Sequence, residues 1–248
     1  MNVVGYWFSD RIALRASGAQ RIEPGTNLEL EAMVQDLAAR AQVPVPRLYM
    51  IHSEQSNAFA TGRNPAHAAV AVTDGLLQQL PPEQVKSVLA HEFAHIKNRD
   101  ILVSSFAALI AGAIAAIANL FQFSLLFGGE DEDSGPLGWI GAIGTIIFAP
   151  LAASLLQLGV SRQREYLADA TGAELIGRST PLADALETLE LRAQSVPHDV
   201  NPATASLYIV NPLTRHGIAT LFSTHPPIAE RVRRLRALDG EQTLRLVA

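Results

Sequence analysis

Between Ile101 and Ser161 the chain carries only four charged residues, and they are adjacent: Glu130, Asp131, Glu132 and Asp133. On either side lie two uncharged runs, residues 101–129 and 134–161, each longer than the roughly 20 residues that cross a bilayer core. The rest of the 19 basic and 24 acidic residues sit outside this stretch, at the density of an ordinary soluble domain. The mean hydropathy of +0.17 is therefore an average of two unlike parts. That excludes a uniformly soluble chain and a wholly membrane-buried one.

Two buried helices in a soluble core are the alternative to a membrane hairpin, and Ala111, Gly112 and Ala115 would suit close packing in either. Soluble core helices rarely run so far without a charge, so the expectation is a transmembrane hairpin over 101–161. Pro150 implies a kink that neighbouring helices can accommodate. Lys97 and Arg99 precede the first run and Arg162 and Arg164 follow the second, while the loop between is acidic. Basic flanks stay cytoplasmic, so everything outside the hairpin is expected on the cytoplasmic side.

A chain of 248 residues suffices for one large domain or two modest ones. A net charge of −5 offers no basic field for nucleic acid. The absence of cysteine removes disulfides, thiolate nucleophiles and cysteine-ligated metals. No secretory signal is visible at the N-terminus. Residues 9–22 read as a connector. Residues 28–41 place Leu30, Met33, Val34 and Leu37 on one helical stripe behind an Asn27 cap. Runs at 47–51, 57–61 and 67–73, separated by turn residues, predict a small antiparallel sheet. A helix opens at Pro81-Pro82, and others are expected at 162–177, 180–195 and 227–238, with a loop-rich stretch over 196–224.

The strongest chemical signal is His91-Glu92-Phe93-Ala94-His95. Residues four apart share a helix face, so both imidazoles can meet one ion, with Glu92 beside them to deprotonate a water. Zinc suits such ligands and polarises a carbonyl without redox chemistry. A surface helix with two histidines is the bland alternative. This helix is largely apolar, however, and two histidines and a glutamate would be costly there without partners. A catalytic zinc needs a third protein ligand. Glu165 and Asp169, four apart near the start of the next helix, are candidates: Glu165 for the metal and Asp169 to receive a ligand histidine's N–H. A solvated acidic edge paired with Arg162 or Arg164 is the alternative for that pair. A chain that leaves the zinc helix, crosses the membrane and returns would bring Glu165 back beside His95.

Three ordered motifs carry a resemblance: His91 to Asp100 (HEFAHIKNRD), Ser161 to Asp169 (SRQREYLAD) and Phe222 to Pro227 (FSTHPP). Together they resemble the HtpX family of membrane-bound zinc endopeptidases, relatives of the CAAX-prenyl proteases, over about residues 9–236. The resemblance implies an α+β, mainly helical, zincin-like metallopeptidase of the gluzincin type. It would comprise an N-terminal part (1–100), the inserted hydrophobic hairpin (101–161) and a C-terminal part (162–248). It implies one zinc ion held by His91, His95 and Glu165, Glu92 as general base and Asp169 behind the ligands. It further implies the bacterial inner membrane, an active site facing the cytoplasm, and stress-linked removal of misfolded or damaged membrane proteins. Members of this family carry two further hydrophobic segments upstream of the position matching Met1, and residues 3–8 resemble the tail of the second.

Residues 57–61 match the family's strand beside the cleft. An exposed edge at Asn57, Ala58, Phe59 and Ala60 would bind an unfolded polypeptide by strand addition, reading little sequence; an ordinary structural strand is the alternative. His225 would donate to the oxyanion or serve as a structural cap. Two other functions remain open at this point: a membrane-tethered binding protein with a purely structural metal, and a processing protease for prenylated peptides. The second would need more spans than one hairpin supplies. The oligomeric state is open. The hydrophobic stretch thus reads as an insertion between two halves of one active site, with the bilayer surface close to the catalytic centre.

Overall fold

The computed structural model describes residues 7–105, 107, 110, 112–114, 116, 158–195, 209 and 226–247. Most of the expected hairpin, the 196–224 stretch apart from Ile209, and His225 lie outside them. Among the described residues no helix is long and apolar enough to cross a membrane.

The elements run α1 (Ser9–Ala16), β1 (Gln20–Arg21), α2 (Leu28–Ala41), β2 (Arg47–Ile51), β3 (Ala58–Thr61), β4 (Ala69–Thr73), α3 (Asp74–Gln79) and α4 (Pro82–Lys97). Helical residues 100–105 (α5) and 158–176 (α6) follow, then α7 (Thr180–Ser195) and α8 (Ile228–Val247). The expected connector over 9–22 in fact holds α1 and β1. The helix is short and mostly polar, and its apolar side is small: Leu14 is buried with Phe59 and Ala71 of the sheet, with Ala13 packed beside them. Asp10 meets Arg47 of β2 at 2.7 Å. α2 begins where expected, with the Asn27 side chain accepting the Leu30 N–H at 3.1 Å. α8 runs nine residues beyond the expected end at 238.

The sheet has the order β1-β2-β4-β3, and here the sequence expectation needs correcting. It is mixed, not antiparallel: β2 and β4 are parallel from Arg47↔Ala69 to Ile51↔Thr73, while β1–β2 and β3–β4 are antiparallel. All five residues of β4 are buried, which suits a strand covered on both faces and flanked on both sides. β4 therefore takes the centre between β2 and β3 and displaces the simple meander. β3 is left at the edge.

One sheet face (Leu48, Met50, Val70, Val72) packs on the main core with α2, α4, α7 and α8. The other (Phe59, Ala69, Ala71) packs under α1. α4 enters the core through Val85, Val88, Leu89, Phe93 and Ile96, all buried, so its polar residues at 91, 92 and 95 are pressed between the sheet edge and α6.

Candidate metal centre

α6 comes unusually close to α4. Glu165, Asp169 and Gly172 lie on one face of α6 by their i, i+4, i+7 spacing. A Cβ at position 172 would stand 3.0 Å from the His91 backbone nitrogen and 3.1 Å from its Cα. The missing side chain lets the two helices touch and sets both α6 carboxylates against His91.

Three ligand atoms converge there. His91 Nε2 and His95 Nε2 are 3.1 Å apart; Glu165 Oε2 is 3.6 Å from the first and its Oε1 3.7 Å from the second. A tetrahedral zinc with bonds of about 2.0–2.1 Å separates its ligand atoms by about 3.3 Å, so this triangle fits. The donor chemistry fits as well. His91 Nδ1 lies 2.9 Å from Asp169 Oδ1, and His95 Nδ1 lies 2.5 Å from Asp100 Oδ2. An ionised carboxylate only accepts, so each Nδ1 carries the hydrogen and each Nε2 turns a lone pair inward. Two imidazole lone pairs and a carboxylate facing one another repel unless a cation lies between them.

Each of these second carboxylates has its own arginine. Asp169 takes a bidentate pair from the fully buried Arg231 of α8, at 2.6 and 2.8 Å. Arg231 Nη1 also reaches Glu165 at 3.5 Å. Asp100 pairs with Arg164 at 3.5 Å, and Arg164 bonds Ser104. Burial raises the Asp169 pKa, but the Arg231 charge outweighs it and holds the carboxyl below its ordinary value. Burial alone would lower the His91 pKa; hydrogen bonds to Asp169 and Glu165 overcome it and, against the opposing Arg231 charge, push it up to about 10. A proton thus takes the cation's part in the metal-free protein. Charge counting agrees. Buried Glu92, Asp100, Glu165 and Asp169 face Arg164 and Arg231, leaving two negative charges, which one divalent ion balances.

Glu92 accepts the Ala60 N–H at 2.7 Å. Asn57 spends its main chain on Thr73, accepting its N–H at 3.0 Å and donating to its hydroxyl at 2.9 Å. By alternation along an edge strand, the main-chain groups of Ala58 and Ala60 face away from β4. The Asn57 side chain accepts the Ile209 N–H at 3.2 Å, and Phe59 is buried beneath α1. The structure therefore brings together His91, Glu92, His95, Glu165, Asp169 and the Ala60 edge. The sequence reading gave no role to Asp100, Arg231 or Gly172, and took Arg164 only as a basic flank of the hydrophobic stretch or a surface partner of the Glu165–Asp169 pair.

The ligand triangle defines a candidate metal centre, and comparisons with known proteins make the class a metallopeptidase. The model of peptidase family M48 matches residues 24–239. A Protease HtpX homolog of Persephonella marina is 53% identical over 239 residues, covering 95% of this chain and 83% of that relative. Another, of Aquifex aeolicus, is 51% identical over 240 residues, covering 95% and 80%. The crystal structure of S. mikatae Ste24p shares the fold with a TM-score of 0.60 at 23% identity, over 94% of this chain and 55% of that one. The chain belongs to peptidase family M48.

Proposed function

We propose that the chain is a zinc-dependent endopeptidase that hydrolyses internal peptide bonds of misfolded or damaged membrane proteins. On this reading, residues 101–161 anchor it in the bacterial inner membrane between the two parts of the peptidase, 1–100 and 162–248. Its active site faces the cytoplasm. The observation that carries the proposal is the pair of Nε2 atoms fixed inward by Asp169 and Asp100 and meeting Glu165. Among the described residues the cluster holds three ligands, the number that leaves a catalytic zinc one open position.

Zinc held by His91, His95 and Glu165 would supply Lewis acidity at the scissile carbonyl and make water a nucleophile near neutral pH. Glu92, its carboxylate steadied by the Ala60 N–H, takes a proton from the attacking water and passes it to the leaving amine. The outward Ala60 carbonyl, on the cleft wall, offers an extended substrate a main-chain hydrogen bond. His225 stays in the proposal as an oxyanion donor, from the segment just before α8.

The test is metal analysis with cleavage of unfolded casein by the purified chain in detergent. Glu92→Gln should retain zinc and lose activity by about 10²–10⁴-fold, whereas His91→Ala should lose both. Full proteolysis by the Gln variant would overturn the assignment. Zinc without proteolysis in the wild type would favour the binding protein. Cleavage of prenylated peptides but not casein would favour the processing enzyme.

A further inference from the structure

Position 99 is an odd place for arginine. The Arg99 N–H bonds the Ile96 carbonyl at 3.2 Å as α4 ends, and its φ is 55°, the left-handed conformation that helices usually give to glycine at this point. A glycine would sit there without strain, yet the chain carries a long cation. The Arg99 side chain is exposed and lines the same cleft as His91, Glu92, His95 and Glu165. Among the described residues it makes no hydrogen bond or ion pair.

The other charges lining that cleft are committed. Glu92 is on Ala60, Asp100 and Arg164 are on each other, and Arg63 lies 4.7 Å over the Trp7 ring. Much of the remaining wall is apolar, through Phe59, Ile96, Ile101, Leu102 and Ile209. A cation uncommitted among the described residues, set against low-dielectric walls, concentrates the field on an incoming anion.

We infer that Arg99 is a specificity-determining residue that recognises an Asp or Glu side chain of the substrate close to the scissile bond. The inference rests on the endopeptidase reading. A lipid phosphate is the competing partner for a cation beside a membrane segment. Lys97, exposed two residues earlier, is absent from the cleft wall and is the better placed for that role.

The experiment uses the full zinc-loaded chain in detergent. Cleavage sites are mapped by mass spectrometry on an unfolded protein mixture, followed by peptides with Glu or Gln at each position flanking one bond. Wild type should favour the Glu peptide at one position by about tenfold in kcat/KM. In Arg99→Gly that ratio should fall to about one while the melting temperature holds or rises. Arg99→Glu should prefer Lys at that position. An unchanged ratio in Arg99→Gly overturns the inference. So does loss of liposome binding by that variant with selectivity intact, which would assign Arg99 to lipid. Wild-type cleavage without preference refutes the subsite alone; no cleavage of any substrate refutes the endopeptidase reading with it.

Discussion

Gly172→Ala adds one methyl group where α6 rests on α4. The new Cβ would meet the His91 nitrogen at 3.0 Å, its Cα at 3.1 Å and the Ala90 carbonyl carbon at 3.2 Å. All three are backbone atoms, so no side chain can swing away and the helices must part by a few tenths of an ångström. Overpacking of this kind costs about 1–3 kcal/mol, while replacing a mid-helix glycine by alanine returns up to about 1 kcal/mol. The expected net loss is about 1–2 kcal/mol, or about 2–8 °C in Tm for a chain of this size. The larger effect should fall on the metal. Glu165 and Asp169 share the Gly172 face, so separation draws the proposed third ligand and the carboxylate on His91 Nδ1 away from His91. Changes of this order weaken metal binding by about 10–100-fold. Chelator competition reads that directly, alongside a thermal melt of the metal-free protein. A variant that melts at or above wild type and gives up zinc at the same chelator concentration would refute the close approach of α6 to α4, because the helix-propensity gain would then stand unopposed.

Asp100→Asn removes the carboxylate that orients His95 and should lower zinc affinity by about 10–100-fold, read by the same competition; unchanged affinity would show that Asp100 does not set the ring. Arg231→Met leaves Asp169 and Glu165 buried without their guanidinium and should cost about 3–5 kcal/mol. Adding Asp169→Asn should recover part of that stability but not the zinc affinity, and a double variant no more stable than the single would argue against the pair. Asp239 accepts the Ser179 and Thr180 N–H groups at 2.8 Å each and caps α7 from α8. Burial raises its pKa, but the hydrogen bond from the Thr180 hydroxyl, with those from the two N–H groups, outweighs that and holds it below the ordinary 3.8. A depressed folded-state pKa gives stability that is fully present above the unfolded value and lost as pH falls through the folded one. Asp239→Ala should therefore cost about 1 kcal/mol at neutral pH, with the Tm gap to wild type narrowing below about pH 4; a gap constant down to pH 3 would contradict the cap.

What could be read beforehand follows from what is local. The 91–95 spacing is a property of a single helix turn, and α2 and α7 carry their stripes and boundaries in consecutive residues, so these were legible. Strand pairing is not local. The β2 and β4 segments show their character but not their direction, and nothing in 47–73 announces that β4 returns between β2 and β3. Arg231 was hidden differently. It lies in a run that looks solvated, Arg231-Val-Arg-Arg234, yet it shares the stripe of Ile228, Val232 and Leu235, all buried. A charge at an apolar-stripe position was the available clue, and only the buried carboxylates of α6 explain it. Asp100 stood within a motif already noted, but its role depends on the turn at Arg99, which helical periodicity does not describe.

The Asp100–Arg164 pair, with Arg164 also on Ser104, bolts α5 to α6 where the hydrophobic stretch departs and comes back. That junction works as a port. Whatever is plugged between residues 105 and 158 shares a closed rim that fixes His95 on one side and Glu165 on the other. Lengthening an insert whose ends already meet costs only a slowly growing closure entropy. The geometry of the candidate site is thereby decoupled from the size of the insert, and one peptidase body can accept different inserts by exchanging the plug and keeping the rim.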